Sequence, residues 1–106
     1  MGNRNSANNL FGRRLKDARL RVGIPQDKLG VMIGLDECSS SARISRYETG
    51  IHEPPFSTVI RIAEALALPT AYFYCEDDVL AEIIQHFGKL SKAEKKEWLS
   101  TISLTK

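Results

Sequence analysis

The spacing of apolar residues along the chain predicts a series of short amphipathic helices. The first, at about residues 9–22, places four apolar side chains on one face: Phe11, Leu15, Ala18 and Val22. Similar faces, separated by Gly- and Pro-containing breaks, predict three more helices, at about residues 26–33, 56–67 and 69–74. No alternating apolar pattern of any length indicates a β-strand, so the sequence predicts an all-α fold.

The stretch that ends at Gly50 combines an apolar edge with an arginine edge. Ile44 and Tyr47 lie one turn apart, so both can face a core. Arg43 and Arg46 share a different edge and point away from that core. Because a short helix presented by a compact scaffold is what insertion into a DNA groove requires, this stretch is the first candidate for a DNA contact.

Two further helices are predicted after residue 75. Asp77 and Asp78 suit a helix N-terminus, and Ser91 with Glu94 forms a capping box for a last helix that ends at about residue 102. These helices carry a broad apolar surface, which consists of Val79, Ile83, Ile84 and Phe87 together with Trp98 and Ile102. Two interpretations remain open: the surface forms a homodimer contact, or both helices pack back onto the preceding helices.

The charge of the chain is distributed unevenly. The net charge is +2, but residues 1–50 carry nine basic and five acidic side chains. Residues 51–106 carry six basic and eight acidic side chains. A basic front half favours a polyanionic partner, and an acidic rear half favours a separate surface. No apolar run is long enough for a membrane helix, and residues 1–8 are polar, which predicts a flexible arm and no secretion signal. Cys38 and Cys75 are expected to be free thiols in a cytoplasmic protein.

Enzymatic chemistry has no support in the residue pattern. The chain lacks a Gly-rich phosphate loop, metal-ligand spacing of Cys and His, and a plausible set of nucleophile, base and acid. We therefore expect no catalytic residues, no metal and no cofactor.

The residues between positions 9 and 74 resemble the lambda-repressor-like family of DNA-binding domains, which includes Cro, the phage repressors and XRE-type regulators. The resemblance rests on several residues that match the family's pattern in type and spacing: Gly23, Pro25, Gln26, Leu29, Gly30, Gly34, Ile44, Glu48, Gly50, Pro54, Ala63 and Leu66. It implies a five-helix helix-turn-helix domain that binds double-stranded DNA with its third helix in the major groove.

The resemblance also implies roles for individual residues. Gln26 would meet a phosphate at the start of the second helix, and Arg46 would pair with a guanine base. Arg43 would contact a base or a phosphate, and Thr49 a phosphate. Other positions that would face the groove are Ser40, Ser41 and Ala42. Arg19 and Glu48 would form a structural ion pair.

Between Gly34 and Ile44 the chain has four more residues than the usual family spacing. In one interpretation the third helix begins at Ser40, after a longer turn that keeps Asp36 and Glu37 away from DNA phosphates. In the other, Asp36 caps a third helix that is longer by about one turn at its N-terminus. We favour the first, because serines prefer caps and turns to helix interiors.

These observations predict three parts: an arm at residues 1–8, a DNA-binding domain at residues 9–74 and a helical extension at residues 75–106. The expected function is that of a sequence-specific transcriptional regulator, a repressor that binds a palindromic operator as a homodimer. The alternative is an antitoxin-like or other protein-interaction module whose DNA binding is secondary and autoregulatory.

Overall fold

A computed structural model describes residues 9–104 as a chain of helices. They are α1 (Leu10–Val22), α2 (Gln26–Met32), α3 (Glu37–Thr49), α4 (Phe56–Leu66), a 3₁₀ helix (Thr70–Tyr74), α5 (Asp78–Phe87) and α6 (Lys92–Leu104). Within these residues there is no strand, so the predicted all-α fold is confirmed. The predicted flexible arm at residues 1–8 lies outside the described part of the chain.

The first four helices and the 3₁₀ helix enclose one apolar core. The largest fully buried side chains are Tyr72, Phe73, Leu15, Leu29, Ile44, Ile62 and Val59. The rings of Tyr72 and Phe73 meet edge to face, with centroids 5.3 Å apart, and Phe11 packs 5.4 Å from Phe73. The 3₁₀ helix therefore closes the core with aromatic side chains, and burial raises the pKa of the Tyr72 phenol.

The four additional residues lengthen α3, so the interpretation that we favoured from the sequence is wrong. The Asp36 side chain caps α3 by accepting a hydrogen bond from the Cys38 N–H at 3.2 Å. Glu37 occupies the first turn, where a negative charge offsets the helix dipole. The four residues add about 6 Å to the N-terminal end of the helix.

Contact between α2 and α3 explains why a serine is tolerated inside this longer helix. Ser40 is fully buried, and its hydroxyl donates a hydrogen bond to the Asp27 carbonyl oxygen at 2.5 Å. Gly30 permits the approach, since a Cβ atom at that position would overlap the Ser40 hydroxyl oxygen. The added turn is therefore held by α2.

The two C-terminal helices differ in how they join the rest of the molecule. Helix α5 buries Ala81 completely and packs Ile84 against the core, so Ile84 is at least partly a core residue and a weaker candidate for a dimer contact than the sequence suggested. Helix α6 buries none of its residues. Of the two interpretations left open, packing onto the preceding helices therefore describes one face of α5, and it does not describe α6.

Helix α4 ends at a residue in a strained conformation, which gives a test of the fold. Ala67 has a φ of 56°, in the left-handed region, and glycine removes the steric cost of about 1 kcal/mol there. We expect Ala67→Gly to raise the free energy of unfolding by up to about 1 kcal/mol, measured by urea denaturation. The control, Ala42→Gly within α3, should lower it by about 1 kcal/mol. Equal losses in both variants would contradict the assigned end of α4.

Candidate nucleic-acid interface

Helix α3 has one buried face and one exposed face. The buried face consists of Ser40, Ile44, Tyr47 and Glu48. The exposed positions include most of the predicted DNA contacts: Ser41, Ala42, Arg43, Arg46 and Thr49. The helix can therefore lie against a ligand with its arginine side while its apolar side remains in the core.

Ser40 is removed from the predicted set of DNA contacts. The sequence placed it at the exposed start of the third helix, whereas the longer helix turns it inward against α2, where its hydroxyl is already bonded. The exposed residues of the added turn are instead Glu37 and Cys38, next to the capping Asp36. The N-terminal end of α3 is consequently acidic, and its C-terminal half is basic.

A buried ion pair joins α1 to α3 behind this exposed face. Arg19 Nε lies 2.5 Å from Glu48 Oε2, and Arg19 Nη2 donates to Glu48 Oε1 at 3.2 Å. Both side chains are less than 10% exposed. Arg19 also donates to the Ile24 carbonyl oxygen at 2.9 Å, which holds the turn between α1 and α2. The pair predicted from the resemblance is thus present, with two hydrogen bonds between the side chains.

Gln26 connects this pair to the exposed surface. It is the first residue of α2 and is half-buried, and its Nε2 donates to Glu48 Oε1 at 3.0 Å. Its Oε1 accepts a hydrogen bond from the Ser41 hydroxyl at 3.4 Å. The predicted phosphate contact of Gln26 stays a prediction, but its side chain is oriented by α3 in the absence of DNA.

Two contributors to this geometry were missed from the sequence. Asn9 Nδ2 donates to the Glu48 carbonyl oxygen at 3.1 Å and so fastens the end of α3 to the start of α1. Arg14, one of the basic residues of the front half, is only 6% exposed and bonds the segment before α5. Neither role has a local sequence signal, because each depends on a partner at least 39 residues away.

The remaining chemistry of the described chain is limited. No group of His, Cys, Asp or Glu side chains between residues 9 and 104 is arranged to hold a metal ion. In the same part of the chain, no helix is both long and apolar enough to cross a membrane.

The buried pair predicts an asymmetric response to substitution. Glu48→Leu should lower the free energy of unfolding by about 3–5 kcal/mol, because the Arg19 charge is left buried without its partner. The double variant Arg19→Met/Glu48→Leu should recover much of that loss, since apolar side chains of similar volume need no partner. Urea denaturation of the single and double variants measures both. If the free energy of unfolding lost in the double variant equals the sum of the losses in Arg19→Met and Glu48→Leu, the two residues are not coupled.

Comparison with known proteins agrees with this geometry. A family model described as helix-turn-helix matches residues 15–73. The crystal structure of the transcriptional regulator BswR is similar to this fold, with a TM-score of 0.82. The two sequences are 43% identical, and the match covers 88% of this chain and 92% of the BswR chain. Curated protein sequences gave no match. The matched family and the arrangement of α2 and α3 show that the chain belongs to the XRE-type, lambda-repressor-like helix-turn-helix family of DNA-binding proteins.

Proposed function

We propose that this protein is a sequence-specific transcriptional repressor that inserts α3 into the major groove of its operator. The observation that carries the proposal is that α3 exposes Arg43 and Arg46 while Arg19 and Glu48 hold its opposite face in place. A prepositioned helix loses little conformational freedom on binding DNA. Repression follows when the bound protein occupies promoter DNA. The similarity to BswR, which is titled a transcriptional regulator, supports this role.

Different parts of the exposed face suit different DNA groups. Arg46 can form two hydrogen bonds with guanine O6 and N7, and Ala42, one turn earlier, is small enough to contact a thymine methyl group. Thr49 donates its hydroxyl to the Ser45 carbonyl oxygen at 3.0 Å, so this hydroxyl must rotate to reach a phosphate. Base specificity is therefore assigned mainly to Arg46.

The proposal includes binding as a homodimer to a palindromic operator, since one domain offers few base contacts. An apolar groove of about 310 Å³ lies between α5 and α6. Its apolar lining consists of Val79, Ile83, Phe87, Leu90 and Trp98. Val79, Ile83 and Trp98 are each at least half exposed, although Phe87 and Trp98 pack edge to face at 6.3 Å. This surface, the α5–α6 groove, is the proposed dimer contact.

The charges around the α5–α6 groove favour a second copy of the chain as its occupant. The start of α5 is acidic, with Glu76, Asp77 and Asp78. At the other end of the helix pair, residues 89–96 carry four lysines and one glutamate, Glu94, so this end is basic overall. A two-fold axis that pairs the α5 helices in antiparallel fashion brings each acidic end toward a basic end of the partner.

Substitution of Arg46 tests the assignment of base contacts. Arg46→Ala should weaken operator binding by about 1–3 kcal/mol for each half-site and relax the preference for one base pair in each half-site. The control is Arg61→Ala, which removes the same exposed charge from α4 and should leave specificity unchanged. Sites selected from genomic fragments, measured by mobility shift at several salt concentrations, provide the assay. Undiminished specific binding by Arg46→Ala would contradict the proposal.

A charge placed in the α5–α6 groove tests the dimer. Ile83→Asp should shift the protein to a monomer, because a carboxylate would be buried in an apolar contact. The matched control is Val31→Asp on α2, where the residue replaced is almost equally exposed, 48% against 50%. Sedimentation velocity over a concentration series measures both variants. Dimerisation by Ile83→Asp at the wild-type concentration would exclude the groove as the contact.

A further inference from the structure

We infer that α1 sets the spacing between operator half-sites, and that Arg14 is the positioning residue that makes this possible. The inference rests on the proposed binding of a dimer to a two-part operator. In such a dimer, the distance between the two α3 helices depends on how rigidly each α3 is joined to its α5–α6 groove. The structure shows that α1 holds both elements.

Arg14 fastens the start of α5 to α1. Its Nε and Nη2 donate to the Cys75 carbonyl oxygen at 3.0 and 2.7 Å, and Nη2 also donates to Asp78 Oδ1 at 2.9 Å. The guanidinium lies 5.7 Å from the centre of the Tyr72 ring. The planar guanidinium therefore holds the backbone before α5, the first residue of α5 and the 3₁₀ helix in one arrangement.

A second tie lies seven residues further along α1. Arg21 Nη2 lies 3.3 Å from Glu82 Oε1, and Arg21 Nη1 also donates to the Gln85 side chain. The hydrogen bond and the charge of Arg21 lower the pKa of the Glu82 carboxyl group. Two ties about 10 Å apart along α1 restrain the direction of α5 as well as its position, the second less strongly because Arg21 and Glu82 are each about half exposed.

The same helix holds α3 through Arg19. Arg19 lies between Arg14 and Arg21 along α1 and forms two hydrogen bonds with Glu48. The dimer surface and the DNA-contacting helix are thus attached to one helix of 13 residues. A short helix with both ends tied bends little, so a displacement of α5 relative to α3 requires that one set of ties breaks.

This rigidity has a consequence for DNA recognition. Each added base pair moves the second half-site by about 3.4 Å and rotates it by about 35°. A rigid dimer can match one separation, whereas a dimer with a hinge between α3 and α5 can match several. Arg14 therefore affects which operators are bound without touching DNA.

The experiment measures binding of the full chain to DNA with two copies of the selected half-site, separated by spacers that differ by one base pair. Wild-type affinity, measured by fluorescence anisotropy, should fall about tenfold or more when the best spacer is changed by one base pair. Arg14→Met should flatten this profile to about threefold or less, and Arg21→Ala, which removes the second tie, should change it in the same direction. Both variants should keep wild-type affinity for a single half-site.

Two comparisons make the result decisive. Lys16→Ala removes an exposed charge from α1 outside both ties, so it should change affinity equally at every spacer and leave the profile sharp. Arg21→Ala replaces an exposed side chain, so it decides whether ties from α1 set the spacing if circular dichroism shows that Arg14→Met is unfolded. A profile as sharp as wild type in a folded variant overturns the inference. Wild-type binding to single half-sites without dimerisation overturns the proposed dimer as well.

Discussion

The buried ion pair between Arg19 and Glu48 is the contact on which the proposed DNA-binding geometry depends. Two charges are stable in this interior only when each is fully paired, so α1 and α3 can come together in one relative position. Gln26 donates to the same carboxylate, which adds the start of α2 to the arrangement. Helices α2 and α3, which form the proposed interface, are therefore set relative to each other and to α1 before DNA binds.

Helix α1 extends this constraint to the C-terminal part of the chain. Three of its four arginines form internal bonds: Arg19 is bonded to α3, whereas Arg14 and Arg21 are bonded to α5 and the residues before it. Basic residues that look like a DNA-binding surface in the sequence thus serve in part as internal connections. The basic side chains of the front half that remain exposed include Arg43 and Arg46 on α3, together with Arg13, Lys16 and Lys28.

The sequence predicted those features of the fold that depend on interactions between residues close together in the chain. The capping box is an example: Ser91 Oγ accepts from the Glu94 N–H at 3.2 Å, and Glu94 Oε1 accepts from the Ser91 N–H at 2.9 Å. The start of α3 was predicted wrongly because the fit of Ser40 against Gly30 is a contact between helices, which outweighs the weak preference of serine for turns. The role of Arg14 was missed for a similar reason, since its partner lies 61 residues away.

The central claim is that the exposed face of α3 and the start of α2 form the DNA-binding surface, while α5 and α6 face a second copy of the chain. Backbone amide NMR spectra of the isotope-labelled protein, recorded during titration with its selected operator, test this directly. The account predicts that the largest shift changes occur at Gln26 and between Ser41 and Gly50, with small changes in α6. Shift changes concentrated in α5 and α6, with α3 unaffected, would contradict it.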